Sequence, residues 1–120
     1  MAVNLNPLKD IDGFLGAALV DAESSMVLGT LGGGKNLDLE IASAGNSEVV
    51  RAKRKTMQLL QLDDVIEDIL ISLGEQYHLI RPLAKNGAVF LYLAVQRRNA
   101  NLAMARVQLR QFEQTLDGQM

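Results

Sequence analysis

The chain has no cysteine, so disulfides and thiolate metal sites are excluded, and the usage fits a reducing compartment. Tryptophan is absent, and three Phe and two Tyr are the only other large aromatics. The core must therefore be aliphatic, built from Leu, Ile, Val, Ala and Met. No window approaches 18 consecutive apolar residues, so no segment is expected to span a membrane. The N-terminus, Met-Ala-Val-Asn-Leu-Asn-Pro7, lacks the basic start and long apolar run of a signal peptide. These absences together predict a soluble, cytoplasmic protein.

What is present suits a globular domain. A chain of 120 residues makes one domain, spanning 1–120, and buries roughly two-thirds of its unfolded surface. The net charge of −2 gives no general attraction to nucleic acid. Its sign is uneven. Residues 1–50 hold seven acids and two bases, whereas residues 51–120 hold ten bases and seven acids. The second half can offer a basic surface to an acidic partner.

Asn6-Pro7 predicts the start of a short helix, with Asn6 as cap and Gly13 as its close. Phe14 to Asp21 and Met26 to Thr30 read as two strands joined by a tight turn at Ala22-Glu23-Ser24-Ser25. Gly32-Gly33-Gly34 is a flexible connector. From Leu37 to Gln61 the pattern is helical, with Ala42, Val49, Val50, Met57 and Leu60 near a 3.6-residue period. Gly45-Asn46 interrupts it. Either the helix bends or restarts there, or Gly45 admits another backbone; the reading adopted is one long helix.

Leu62-Asp63-Asp64 ends that helix, and strands follow at Val65–Leu73, Gln76–Leu83 and Ala88–Gln96. Asn86-Gly87 is a strong hairpin signal, the signature of a type I′ turn with positive φ at both residues. Asn99 or Asn101 caps a last helix whose stripe is Leu102, Ala105, Leu109, Phe112 and Leu116. The three late strands carry apolar residues on both faces, so both faces should be covered. One antiparallel sheet with helices on both sides satisfies that demand, an α+β fold.

No motif announces catalysis. Gly29-Thr-Leu-Gly-Gly-Gly34-Lys35 fits the phosphate-loop spacing, but Asn36 follows where Ser or Thr should bind Mg²⁺, and the preceding strand sits in an antiparallel hairpin. His78 is the only histidine, mid-strand, with no nucleophile fixed beside it. Asp63, Asp64, Glu67 and Asp68 lack the spacing of a cation loop. Arg51-Ala-Lys-Arg-Lys55 places 51, 54 and 55 on one side of a helix, without the interleaved aromatics of a nucleic-acid binder. It is either a solvated face or a docking face for an acidic protein. Val65 to Leu73 is either a central strand or an edge. As an edge it is an aggregation hazard, most economically relieved by pairing with the same strand of a second copy.

Three stretches together resemble the Roadblock/dynein light chain family, in particular its small stand-alone bacterial members. They are Gly16-Ala-Ala-Leu-Val-Asp21, Ala44-Gly-Asn-Ser-Glu-Val-Val-Arg-Ala-Lys53, and Ile69-Leu-Ile-Ser-Leu-Gly-Glu-Gln-Tyr-His-Leu-Ile-Arg-Pro82. The likeness covers nearly the whole chain and consists of core and turn residues. One departure stands in the first hairpin turn, where the family usually carries Gly and this chain has Ser24-Ser25.

The resemblance implies a five-stranded antiparallel sheet in the order 2-1-5-4-3, with the long helix on one face and the terminal helices on the other. It implies dimerisation through the third strand and the long helix, which would put Gly45, Val65, Glu67, Ile69 and Ile71 at the interface. Members regulate or scaffold small Ras-like GTPases or serve as dynein light chains. The gliding-motility member is a GTPase-activating protein that remodels its partner without inserting an arginine finger. This chain is thus expected to be a non-catalytic homodimeric platform for a small GTPase, without cofactor. Arg51, Arg54 and Lys55 are its candidate partner-binding residues. The alternative is a structural subunit of a motor or signalling complex.

Overall fold

Asp38 starts the long helix. Its Oδ1 accepts from the N–H groups of Glu40 (3.0 Å) and Ile41 (3.1 Å), which have no partner within the helix. In the computed structural model, which describes residues 3–116, this helix, α1, runs from Leu39 to Leu59. It passes through Gly45-Asn46 without a break. Gln61, at φ +58, ends it: Leu62 N–H donates to Met57 O (2.9 Å) and Gln61 N–H to Gln58 O (3.0 Å). Those two bonds satisfy carbonyls that the last helical turn leaves open.

A 3-10 helix covers Asn6–Asp10, with Pro7 in its first turn; the residue before it is Leu5 and makes no side-chain cap. Asn6 therefore does not cap this turn; its N–H instead donates to Asn4 Oδ1 at 3.0 Å. Gly13, at φ +80, then turns the chain, and a Cβ there would fall 2.7 Å from Gln96 O. Five strands follow: β1 Phe14–Asp21, β2 Val27–Gly32, β3 Ile69–Ser72, β4 Gln76–Pro82 and β5 Val89–Gln96. A second helix, α2, spans Leu102–Thr115 and is capped by Asn101, whose Oδ1 accepts from Met104 N–H at 3.1 Å.

The strands form one antiparallel sheet in the order β2-β1-β5-β4-β3. The expected topology is therefore the observed one. On one face Leu19, Leu91 and Leu93 pack with Leu8, Leu109 and Phe112 of the 3-10 helix and α2. On the other, Ala18, Val20, Phe90 and Tyr92 pack with Leu39 and Val50 of α1. Fully burying aliphatic side chains of this size contributes about 1.5–3 kcal/mol each, so the two layers hold the sheet from both sides.

Several local expectations need correction. The face that α1 buries is Leu39, Ser43, Asn46, Ser47 and Val50; Ala42, Val49 and Met57 lie half-buried at its flanks, and Leu60 is exposed. Serine serves here because its hydroxyl is satisfied within the helix: Ser43 Oγ donates to Leu39 O (2.6 Å) and Ser47 Oγ to Ser43 O (2.8 Å). The β4–β5 connection is no type I′ turn, since neither Asn86 nor Gly87 has positive φ. Instead Asn86 Oδ1 accepts from Ala88 N–H (3.3 Å) and Asn86 O from Val89 N–H (3.0 Å), a longer loop built on an Asn turn. The strand β2 extends through Gly32, so the glycine run is a bend and not a phosphate loop. Gly33, at φ +77, approaches Leu37 O so closely that a Cβ would lie 2.9 Å away.

The third strand is the largest revision: β3 covers four residues, not nine. Leu73 N–H donates to Gln76 O at 2.8 Å, which makes these two a hydrogen-bonded pair. Alternation makes Ile71–His78 and Ile69–Ile80 pairs of the same kind. The next would be Glu67 with Pro82, and proline has no N–H to donate. The segment from Leu62 to Asp68 therefore leaves the sheet.

Candidate interaction surface

The sheet has two open edges, and they differ. On β2, Leu19 lies opposite Gly29 and Val20 opposite Val27, so Leu28 is an extra, bulged residue. A bulge twists an edge and blunts pairing. On β3 the register runs from Ile69 to Ser72 without a shift. Between its bonded pairs, the N–H and C=O groups of Asp68, Leu70 and Ser72 aim away from β4. Ile69 and Ile71 are half-buried on the α1 side. Leu70, on the other face, is 38% exposed.

The α1 side of the sheet keeps several apolar residues only partly covered. Ala42 and Val49 on the helix flank and Ile69 and Ile71 on β3 are each only partly covered. Behind them runs a polar relay that the sequence did not announce. Tyr92 OH lies 3.1 Å from His78 Nδ1, and His78 Nε2 lies 2.7 Å from Gln76 Oε1. Gln76 Oε1 is an acceptor only, so His78 carries its proton on Nε2, and Tyr92 donates to Nδ1. Burial lowers the His78 pKa below 6.5, in keeping with a neutral ring. Burial raises the Tyr92 hydroxyl to about 12, and the Asn46 side chain beside it acts the other way. Asn46 Nδ2 is itself buried and not aligned with any hydrogen-bond partner among the described residues.

The opposite side of the edge is held by ions. Asp68, pointing toward α2, accepts from Arg106, and Arg81 lies 3.9 Å from it. Arg81 Nε also donates to Glu113, whose second oxygen accepts from Ala84 N–H at 2.7 Å. The Asp68 carboxylate raises the Arg106 pKa still further. One chain of charges thus ties the start of β3, β4 and the β4–β5 loop to α2. Where the segment 62–68 departs from β4, a cavity of about 480 Å³ opens among Arg54, Met57, Leu62, Ile66 and Pro82.

The candidate residues fall into two groups. Ile69 and Ile71 share one face of the edge strand, while Glu67 and Val65 lie in the departing segment, Val65 at 84% exposure. Gly45 sits exposed in α1, and beyond its chain neighbours and its own helical turns nothing lies within 4 Å of a Cβ placed there. Arg51 and Arg54 are both engaged by the fold. Arg51 Nη1 donates to Ala22 O, and Arg54 Nη2 to Gly87 O at 2.6 Å. They fasten α1 to the two loops at one end of the sheet. Lys55 is exposed. Tyr77, beside His78 in sequence, faces the other side of the sheet and lies under Arg97 at 4.9 Å. No three His, Asp or Glu side chains gather as a metal site would require, among the described residues. Nor is any described helix long and apolar enough to cross a membrane.

No protein-family model and no curated relative matches the sequence. Solved structures do. MglB of Myxococcus xanthus superposes with a TM-score of 0.78 at 15% identity, over 92% of this chain and 79% of that one. A Roadblock/LC7 domain from Streptomyces avermitilis gives 0.76 at 11%, over 92% and 88%. The fold is that of the Roadblock/LC7 domain. The gliding protein MglB from Thermus thermophilus agrees, at 0.75 and 15% identity over 92% and 80% of the two chains. At these identities the likeness is one of fold.

Proposed function

We propose that this Roadblock-fold chain is a non-catalytic homodimeric platform that regulates or scaffolds a small Ras-like GTPase. The observation carrying the dimer is the contrast between edges. The β2 edge is blunted by a bulge, while β3 keeps an unbroken register and leaves Ile69 and Ile71 half-covered. A second copy pairing along β3 removes the hazard of an open edge and covers Ile69 and Ile71. Gly45 then offers a point of close helix approach, and Val65 and Glu67 lie beside the joint.

The GTPase reading is supported by the Roadblock fold and by the residues resembling the family. Such a platform would act by differential affinity for the states of its partner. A platform that binds one nucleotide state tenfold more tightly shifts its partner by about 1.4 kcal/mol. Lys55, with the outer parts of Arg51 and Arg54, forms the basic surface of α1 for such a partner.

The test uses purified protein and Ras-like GTPases encoded near it, loaded with GDP or a non-hydrolysable GTP analogue. Binding that depends on the nucleotide, or an altered hydrolysis rate, supports the reading. Absence of binding in every nucleotide state, with an unchanged rate, overturns it.

A further inference from the structure

Pro82 ends the pairing of β3 with β4 and so leaves a space between the last turns of α1 and the end of β4. Gln61, at φ +58, turns the chain at the close of the helix, and the segment 62–68 lines that space instead of filling it as a strand. The result is the cavity of about 480 Å³, within the range of about 300–1,000 Å³ usual for small-molecule sites. Its wall is mostly apolar. Met57 and Ile66 are half-buried, Pro82 is buried, and Leu62 is still 52% exposed. The core does not consume this apolar surface.

Arg54 is the cation on this wall that the fold leaves without a counter-charge. Arg81 also lines the cavity, but Glu113 and Asp68 hold its charge. Arg54 is half-buried, and its Nη2 donates to a neutral acceptor, Gly87 O, at 2.6 Å. No carboxylate pairs with it among the described residues. A guanidinium carries five N–H donors, so one bond leaves most of them open. A bond to a carboxylate is roughly twice as strong as one to a neutral group. Asp64 and Glu67 line the same cavity, but both are exposed, and Asp64 Oδ1 already accepts from Val65 N–H at 2.8 Å. Water and salt screen them from Arg54, while they disfavour a ligand with a second negative charge.

We infer that the cavity binds a small apolar monocarboxylate, of the size of a medium-chain fatty acid. Its carboxylate would sit on Arg54 and its body against Met57, Ile66 and Pro82. The site depends on neither the second copy nor the GTPase proposed above.

Isothermal titration of the unmodified chain with octanoate, octylamine and octanol reads the charge preference. Octanoate is expected to saturate one site per chain and to bind about tenfold or more tighter than either neutral octanol or cationic octylamine. Hexanoate lacks two methylenes and should bind roughly fifteenfold more weakly than octanoate. Arg54→Met keeps an apolar stem without the charge. It should bring octanoate down to the level of octanol and leave octanol unchanged, whereas Arg54→Lys should retain most of the preference. Ile66→Trp fills the cavity and should abolish binding while the melting transition is retained. Absence of saturable octanoate binding to the unmodified chain at millimolar concentrations overturns the site. Octylamine binding tighter than octanoate would give the cavity to Asp64 and Glu67 and overturn the assignment. Octanoate binding that survives both Arg54→Met and Ile66→Trp is surface adsorption and overturns the placement.

Discussion

Arg106 grips Asp68 with two parallel hydrogen bonds, Nε at 3.0 Å and Nη2 at 2.9 Å, across 38 residues of sequence. Asp68 is the last residue before the edge strand, so the bond pins the start of β3 to α2. The same ionic chain continues through Arg81 to Glu113.

Glu113 should be the most sensitive member of that chain. Its carboxylate serves the nearly buried Arg81 and the Ala84 N–H together. Glu113→Ala would strand a buried guanidinium and an amide, and is expected to cost about 3 kcal/mol in urea denaturation. Glu113→Gln keeps an acceptor and should cost less. Equal stability of all three proteins would show that the network does not hold the edge.

Two turns carry residues that glycine would suit better. Ser25 has φ +63 in the β1–β2 turn, where Asp21 O and Oδ1 accept the N–H groups of the following residues. Gln61 has φ +58 at the end of α1. Left-handed backbone costs a residue with a side chain about 1 kcal/mol. Ser25→Gly and Gln61→Gly are each expected to raise stability by about 0.5 kcal/mol, after the greater chain entropy of glycine is counted. Lower melting temperatures in both would contradict the strain.

His78 predicts a pH dependence. Its pKa is lower in the folded chain than the ordinary 6.5. The unfolded chain therefore binds the proton first as pH falls. The stabilisation from the neutral ring is complete above about pH 6.5 and is lost progressively below it. Thermal melts between pH 7.5 and 5 should fall more steeply for the unmodified chain than for His78→Gln. Parallel curves would mean that His78 titrates alike in both states.

Much of this fold was legible from residue patterns, because β1 and β5 are near-continuous apolar runs and the hairpin connections are short. Element order and strand count follow from local signals, which also narrowed the last cap to Asn99 or Asn101; the structure selects Asn101. The buried face of α1 did not, because Ser43, Asn46 and Ser47 read as polar, and only the fold shows the two serine hydroxyls satisfied within the helix. The length of β3 depends on Pro82, a residue on the neighbouring strand, and no local pattern around Val65 contains that fact. Arg51 and Arg54 looked like a charged face for the same reason: their carbonyl partners lie 29 and 33 residues away. The relay of Tyr92, His78 and Gln76 likewise needs two strands in register.

Ile71 tests the edge by substitution. Ile71→Lys places an ammonium on the face of β3 that the proposed second copy covers, at a cost of several kcal/mol if the charge is buried unpaired. The variant is expected to lose self-association. Within one subunit Ile71 is only half-buried, so the fold itself should lose less. Unchanged association would place the contact elsewhere.

The most direct measurement is the native mass of the unmodified chain by sedimentation equilibrium, over micromolar concentrations. The account predicts twice the 13.1-kDa subunit, falling to one subunit for Ile71→Lys. A single 13.1-kDa species for the unmodified chain throughout would contradict it.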